Sequence, residues 1–266
     1  MAGRQSVWKR HWKLSREPFP GGIPYVSNRS HDEAVARLVD TIETGGRRAT
    51  VRAAAGLGKS SVLTRALAVT RGASRRQAKV VSPSDGASLY VGLAEGLGLR
   101  AAAGLGRSSA WRTLCDAARL CRAQKLQVVL AIDGSQSLID PADRVDLERL
   151  SALDTHPDGR LTVLDVGRPS VDEPSTRPWE LTIRIDPLTR GDAERYLTAK
   201  LSAAGRDEPT FTPRALHRLH AWSEGNPSGL DRLASLALMA GAWRGVEIVT
   251  PDIVDGVAQE CNLPEG

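Results

Sequence analysis

Short apolar segments alternate with amphipathic stretches through the first two thirds of the chain. The clearest segment, 126–133, is almost continuously apolar, as expected for a central strand covered on both faces. Strands are predicted at 48–52, 78–82, 126–133, 161–167 and 181–185, and the last of these alternates as an edge strand does. Helices are predicted at 31–43, 60–70, 87–96, 109–123 and 144–153. This alternation predicts an α/β fold, with a parallel sheet sandwiched by helices.

The pattern changes after residues 186–188, beyond which only helices are predicted. They span 189–204, 213–222, 227–241 and 251–259. Thr189 caps the first of them, and a proline begins each of the other three. The sequence therefore predicts three parts: an N-terminal tail over 1–18, an α/β domain over 19–187 and a small all-α domain over 188–266.

The segment 53–61, called the phosphate loop below, reads Ala-Ala-Ala-Gly-Leu-Gly-Lys-Ser-Ser and ends like the pattern G-x-x-x-x-G-K-[ST]. Glycines let backbone N–H groups approach a phosphate, because no side chain stands in the way. In this pattern the lysine contacts the β- and γ-phosphates and the serine hydroxyl contacts Mg²⁺. The predicted nucleotide-binding residues are Ala54, Ala55, Gly56, Leu57, Gly58, Lys59, Ser60 and Ser61.

One position departs from that pattern, because Ala53 replaces its first glycine. An alanine would be strained there if the position needed a positive φ. The alternative is a chance Ala/Gly loop that happens to end in Gly-Lys-Ser. The predicted strand before the loop and the predicted helix after it favour phosphate binding.

A second segment, 101–109, has nearly the same letters, Ala-Ala-Ala-Gly-Leu-Gly-Arg-Ser-Ser. Here Arg107 replaces the lysine, and a broad planar guanidinium does not substitute for a lysine ammonium in such a loop. A predicted helix, and no strand, precedes it. We expect this look-alike segment to be a surface connection between helices.

Asp133 ends the most apolar predicted strand. A carboxylate at the end of a buried strand beside a phosphate loop typically holds Mg²⁺, whereas the alternative is an aspartate that caps a turn with Gly134. Hydrolytic relatives commonly place a glutamate next, to orient the attacking water, and Gly134 offers no such group. Gln136 is near enough in sequence to orient a water. The predicted catalytic residues are Lys59, Asp133 and Gln136, and the predicted metal ligands are Ser60 and Asp133.

The chain has 266 residues, of which 41% are hydrophobic, enough for one large domain or for one domain with an appendage. Its net charge of +5 permits an acidic partner without requiring one. Residues 1–16 contain Arg4, Lys9, Arg10, Lys13 and Arg16, with Trp8 and Trp12 between them and no acidic residue. The segment is interpreted either as a tail for nucleic acid or a membrane surface, or as a solvated tail whose tryptophans pack on the body. Because so short a basic run is common, the interpretation in which the tryptophans pack on the body is favoured.

Cysteines and histidines give no metal signature. Cys115, Cys121 and Cys261 lack metal-ligand spacing and are predicted to be reduced and mostly buried. His217 and His220 have no neighbouring ligands that would complete a site. No apolar run approaches the length of a membrane span, and no secretory signal pattern occurs. We expect a cytoplasmic protein without a membrane span.

With these parts in place, the chain resembles the ExeA-like AAA+ ATPases (the general secretion pathway protein A group), which are related to the ORC/Cdc6-like ATPases. The opening H-W-K-L-S-R-E-P-F-P is similar to the group's H-[WF]-G-L-x-x-x-P-F, and D-G-S-Q-S-L stands where the group has D-E-A-Q-x-L. The segments that carry the resemblance are 11–20, 25–38, 133–138, 166–169, 225–233 and 250–257.

The resemblance implies roles for further positions. Segment 19–31 would lie near the adenine, and the all-α domain would be a lid over the nucleotide. Arg168 follows the strand that carries the first sensor, while Ser228 replaces the lid arginine that normally touches the γ-phosphate. Arg177 and Arg184 are the two candidates for a finger that reaches into a neighbouring subunit.

Gly134 and Ser228 both remove groups that act during hydrolysis and not during binding. The sequence therefore predicts an AAA+ protein that holds Mg-ATP between core and lid, with weak or partner-dependent hydrolysis. The alternative is a nucleotide-gated DNA-binding or assembly module without hydrolysis, of the transposition or replication accessory type. ATP and Mg²⁺ are the expected cofactors, a homo-oligomer or a protein partner is expected, and the basic tail offers a site for nucleic acid.

Overall fold

The computed structural model describes residues 7–20, 25–100, 104–150, 153, 161–169 and 181–261. The strands are β1 (Arg48–Arg52), β2 (Arg75–Val81), β3 (Gln127–Asp133), β4 (Leu161–Gly167) and β5 (Leu181–Arg184). The helices of the first part are α1 (Val7–His11), α2 (Arg29–Glu43), α3 (Lys59–Val69), α4 (Gly86–Gly96), α5 (Arg107–Ala123) and α6 (Pro141–Arg149). Those that follow β5 are α7 (Arg190–Ala203), α8 (Pro213–Ser223), α9 (Pro227–Arg244) and α10 (Pro251–Glu260).

The described chain divides into two compact units. The sheet unit contains the described residues of Asp32–Ala55 and Val62–Ile185. The helical unit contains those of Met1–His31, Gly56–Ser61 and Asp186–Gly266, so the last six residues of the phosphate loop are grouped with it. The predicted divisions at residues 18 and 187 remain predictions.

The sheet unit is built on five parallel strands in the order β2-β3-β4-β1-β5. Every residue of β3 and of β4 is buried, which is why both segments are mostly apolar. The alternating strand β5 lies at an edge, as predicted. The predicted α/β fold with a parallel sheet is therefore confirmed.

The strand β2 begins three residues earlier than the apolar pattern indicates. Arg75, Arg76 and Gln77 are polar, but they continue the ladder with β3. Arg75 Nε donates to Gln127 Oε1 at 2.7 Å across that ladder. Side-chain pairing between the two strands therefore compensates for the lack of apolar residues at this end.

The core of the helical unit includes part of the predicted tail. Trp12 and Leu14 are each 1% exposed and pack with α7 to α10. Trp12 Nε1 donates to Leu238 O at 2.7 Å, and the Arg206 guanidinium lies 5.3 Å from the Trp12 ring centroid. The short helix α1, which the sequence did not predict, precedes this anchor. Packing of Trp12 agrees with the second interpretation of the tail, whereas Arg4 lies outside the described residues.

The helix ends of this unit follow from cap chemistry. Thr189 accepts a hydrogen bond from Asp192 N at the start of α7, and Thr212 does the same for Ala215 N at α8. Inside the unit, Lys200 Nζ and Asp231 Oδ2 form a buried ion pair at 2.7 Å. Burial lowers the pKa of Lys200 and raises that of Asp231. This pair joins α7 to α9.

The cysteine prediction can be compared with the structure directly. Cys115, Cys121 and Cys261 are free, and Cys121 is buried. Burial raises the pKa of the Cys115 and Cys121 thiols, which makes them poor nucleophiles. Within the described ranges, no helix combines the length and apolar character needed to cross a membrane.

Candidate nucleotide-binding site

The phosphate loop connects β1, which ends at Arg52, to α3, which begins at Lys59. Its two glycines adopt left-handed backbone conformations, with φ of 80° at Gly56 and 82° at Gly58. Ala53 does not have a positive φ, so the departure from the pattern at this position introduces no backbone strain. The loop therefore places glycine where its local conformation requires it.

Exposure divides the loop into an open part and an anchor. Ala54, Ala55, Gly56 and Ser60 are exposed, whereas Leu57 is only 5% exposed. A buried leucine between two glycines anchors the loop in the fold, while residues on either side of it are exposed.

His31, near the start of α2, fixes the loop from one side. Its Nε2 lies 2.9 Å from Leu57 O, and its Nδ1 lies 2.8 Å from Asn28 Nδ2. Since Asn28 Oδ1 accepts from His31 N at 3.0 Å, the Asn28 amide nitrogen faces Nδ1 as a donor. This network assigns the ring proton to Nε2, from which it is donated to the loop carbonyl.

The position of His31 also explains the glycine at 58. A Cβ on Gly58 would stand 2.7 Å from His31 Cε1, closer than real Cβ contacts allow. The sequence resemblance placed His31 in an adenine-proximal segment and did not indicate its bond to the loop. The histidine in the 25–38 motif was the available signal.

The start of α9 contacts the loop at Gly56. Ser228 N donates to Gly56 O at 3.3 Å and to Asn226 Oδ1 at 3.0 Å, which is the helix cap. A side chain at Gly56 would overlap Asn226 Oδ1. Ser228, the residue that replaces the lid arginine, therefore meets the loop through its backbone.

Asp133 is the last residue of β3, and its side chain is 8% exposed. Its Oδ2 lies 3.0 Å from Lys79 Nζ, on the neighbouring strand β2. Lys79 Nζ also donates to Thr64 Oγ1 on α3 at 3.1 Å. The sequence analysis missed Lys79, although a lysine inside an otherwise apolar strand could have indicated a buried partner.

The residue after Asp133 has an unusual backbone. Gly134 has φ of 90°, and a Cβ there would stand 2.7 Å from Ser82 Oγ. Gly134 N donates to Val166 O at 2.8 Å, which ties the turn to β4. The position at which hydrolytic relatives have a glutamate is therefore held in a conformation that L side chains rarely adopt.

Gln136 lies in the short 3₁₀ turn Ser135–Ser137 and is exposed. Its Oε1 accepts a hydrogen bond from Arg168 N at 3.2 Å, so the amide oxygen joins this turn to the end of β4. Arg168 and Arg184 are exposed, as a contact with another molecule would need, whereas Arg177 lies outside the described residues.

A buried ion pair stabilises the strand that enters the loop. Arg52 Nη2 lies 2.7 Å from Asp165 Oδ2, and Arg52 Nη1 donates to Asp165 O at 3.1 Å. Both side chains are at most 9% exposed. Asp165 had no role in the sequence analysis, because a carboxylate inside an apolar run gives no sign of its partner.

The sheet topology places the C-terminal ends of β1 and β3 at the same end of the sheet. In the parallel registers, Arg52 pairs with Gly167 and Asp133 pairs with Val166 of the strand between them. Two strand spacings separate these ends by about 10 Å. Ala53 and Gly134 therefore both leave the carboxyl edge of the sheet, which is where ligands bind in open α/β sheets.

The donor chemistry at the predicted metal ligands suits magnesium. Ser60 offers a hydroxyl oxygen and Asp133 offers a carboxylate oxygen, and Mg²⁺ typically takes one or two protein oxygens together with phosphate oxygens and water. In the part of the chain that the structure describes, no group of three or more His, Cys, Asp or Glu residues could hold a metal by itself. The residues fit a metal that arrives with a nucleotide.

A five-stranded parallel sheet with flanking helices, followed along the chain by further helices, is the AAA+ P-loop fold. It is similar to the ORC of Drosophila bound to DNA, with a TM-score of 0.76 and 14% identity, over 99% of this chain and 68% of that chain. The ORC2 protein of Aeropyrum pernix, solved as ADPNP–ADP complexes, matches with a TM-score of 0.66 and 15% identity, over 92% of this chain and 72% of that one.

A curated relative is the general secretion pathway protein A of Aeromonas hydrophila, 32% identical over 135 residues. The match covers 45% of this chain and 25% of that protein, so the chain spans about a quarter of the relative's length. No protein-family model matches the chain. The expected resemblance to ExeA-like and ORC-like AAA+ proteins is confirmed.

Proposed function

We propose that this chain binds ATP together with Mg²⁺ and hydrolyses it weakly, or only with a partner. The observation that carries the proposal is the conformation of Gly56 and Gly58, both left-handed in a partly exposed loop between a parallel strand and a helix. That combination suits backbone N–H groups that converge on a phosphate.

The residues would divide the work as follows. The backbone of 54–61 would cradle the phosphates, and Lys59 would neutralise charge on the β- and γ-phosphates. Ser60 and Asp133 would hold Mg²⁺, Asp133 through water. The bound metal would supply charge neutralisation at the phosphate oxygens. His31 would keep the loop in its binding conformation through Leu57 O.

Three features support weak hydrolysis. Gly134 has no group to orient water, and its left-handed backbone is unsuited to the missing glutamate. The Gln136 amide oxygen accepts a hydrogen bond from Arg168 N, a contact that competes with the orientation of a water. Ser228 has no cationic side chain to replace the lid arginine of relatives, and its backbone N–H is donated to Gly56 O and Asn226 Oδ1. Each missing group is worth orders of magnitude in rate, or about 3 kcal/mol of barrier.

A second function is a nucleotide-gated DNA-binding or assembly module without hydrolysis. The absent hydrolytic groups favour it, and so does the likeness to an ORC that binds DNA. Arg10, Lys13 and Arg16 are exposed near the N-terminus and would give the electrostatic contribution. Under either function we propose a homo-oligomer or a protein partner, and a cytoplasmic location.

The test is titration of a fluorescent ATP analogue into the chain and its Lys59→Ala variant, with phosphate release measured in parallel. We expect Mg²⁺-ATP to bind the wild type and the variant to lose most of that affinity, with turnover far below one per second. Turnover near one per second that Lys59→Ala abolishes would refute the weak-hydrolysis part. Absence of any Lys59-dependent binding would refute the whole proposal.

A further inference from the structure

The ammonium group of Lys79 lies beside the Asp133 carboxylate. Lys79 Nζ lies 3.0 Å from Asp133 Oδ2, and the two side chains are 29% and 8% exposed. A buried carboxylate is costly unless a cation or several donors compensate for its lost hydration. In this structure Lys79 supplies a compensating charge to the carboxylate that the proposed function assigns to Mg²⁺.

The strand register explains how Lys79 reaches this carboxylate. Lys79 pairs with Ala131 of β3, two positions before Asp133. Residues two apart in a strand face the same side of a sheet, so Lys79 and Asp133 share a face. The flexible stem of a lysine spans the remaining distance along the strand.

A second contact holds the ammonium in place. Lys79 Nζ donates to Thr64 Oγ1 at 3.1 Å, in α3. Thr64 follows Ser60 by four positions in that helix, and residues four apart lie on the same side of a helix. Lys79 therefore bonds to the turn of α3 that follows the other proposed metal ligand.

We propose that Lys79 is an internal competitor of Mg²⁺ at Asp133 and makes nucleotide binding depend only weakly on the metal. An ammonium and a divalent cation that share one buried carboxylate repel each other, so each lowers the occupancy of the other. Metal binding requires Lys79 to leave Asp133 for solvent, which the partial exposure of its side chain permits. The inference rests on the proposed function and specifies its metal dependence.

The experiment compares nucleotide affinity in Mg²⁺ with affinity in EDTA, using a fluorescent ATP analogue and the full chain. The measured quantity is the ratio of the Kd in EDTA to the Kd in Mg²⁺. We expect the wild type to have a ratio below about threefold. The ratio of Lys79→Gln should be about tenfold higher than that of the wild type. Glutamine keeps a donor near Asp133, so the carboxylate is not left bare. Lys79→Met is measured in parallel as a second neutral variant.

Two variants serve as matched controls. Lys79→Arg keeps a positive charge at the position and should retain a ratio near that of the wild type. Arg76→Gln removes a charge from the same strand at an exposed position and should leave the ratio unchanged. If Arg76→Gln raised the ratio as much as Lys79→Gln, net charge and not competition at Asp133 would be the cause, and the inference would be wrong.

A direct readout is Mn²⁺ binding in the presence of nucleotide, followed by electron paramagnetic resonance. Lys79→Gln should bind Mn²⁺ about tenfold more tightly than the wild type, and adding Asp133→Asn should remove that gain. Equal ratios and equal Mn²⁺ affinities in wild type and Lys79→Gln, with nucleotide binding that still requires Lys59, would overturn this inference alone. Binding that ignores Lys59→Ala would instead refute the proposed function and this inference with it.

Discussion

The phosphate loop and the look-alike segment have nearly the same letters and different structures. Gly56 and Gly104 both have φ of 80°, but the second glycines diverge: Gly58 has φ of 82°, whereas Gly106 has φ of −65°. A strand precedes the phosphate loop, while Gly106 is the extended N-cap of α5. The same Gly-Leu-Gly string therefore adopts the conformation that its surroundings select.

The basic residues of the two segments differ in the same way. Arg107 forms ion pairs with the buried carboxylates of Asp143 and Asp146 in α6, so its positive charge is compensated within the fold. A Cβ at Gly106 would meet nothing within 4 Å, whereas one at Gly58 would strike His31. What distinguishes the phosphate loop is a tertiary partner, His31, that contacts the left-handed backbone at Gly58.

The largest expected effect is on ATP affinity, and it tests whether the local sequence is sufficient for phosphate binding. Lys59→Ala should weaken ATP binding about 100-fold, because a charge-assisted contact with the phosphates is lost. Arg107→Lys makes the look-alike segment identical to the phosphate loop, yet it should not restore binding in the Lys59→Ala background. Isothermal titration calorimetry measures both, and rescue by Arg107→Lys would contradict the distinction drawn here.

The same substitution at the two diverging glycines sharpens the comparison. Gly58→Ser should lower the free energy of unfolding by about 2 kcal/mol, since serine is strained at a positive φ and displaces His31. Gly106→Ser should raise it by about 0.5 kcal/mol, because serine caps α5 and an unstrained site gains from reduced freedom of the unfolded chain. Urea denaturation checks both signs, and equal effects would show that the two backbones are alike.

A smaller effect is expected at His31. Removing the imidazole leaves Leu57 O without this donor, so His31→Ala should cost about 1.5 kcal/mol of stability and weaken ATP binding about tenfold. His31→Gln offers an amide donor and should recover part of the affinity. A His31→Ala variant that binds ATP as the wild type does would show that the loop needs no support from this residue.

Much of the architecture could be predicted from patterns. The fully buried strands β3 and β4 are mostly apolar, and the caps at Thr189 and Thr212 follow ordinary helix-start chemistry. The short helix α1 and the polar start of β2 could not be predicted, because their stability comes from Trp12 packing and from a side-chain pair with Gln127. The predicted nucleotide-binding residues 54–61, the predicted metal ligands Ser60 and Asp133 and the predicted catalytic residue Gln136 remain predictions.

The sequence by itself determined the alternation of strands and helices, the AAA+ resemblance and the candidate loop, since these depend on residue types at regular spacings. Only the tertiary structure decided that His31 and Ser228 hold the loop and that Lys79 pairs with Asp133. The physical reason is that these contacts join residues far apart in the chain. Periodicity reports which face of an element is buried, but the identity of the partner across that face depends on how the elements pack.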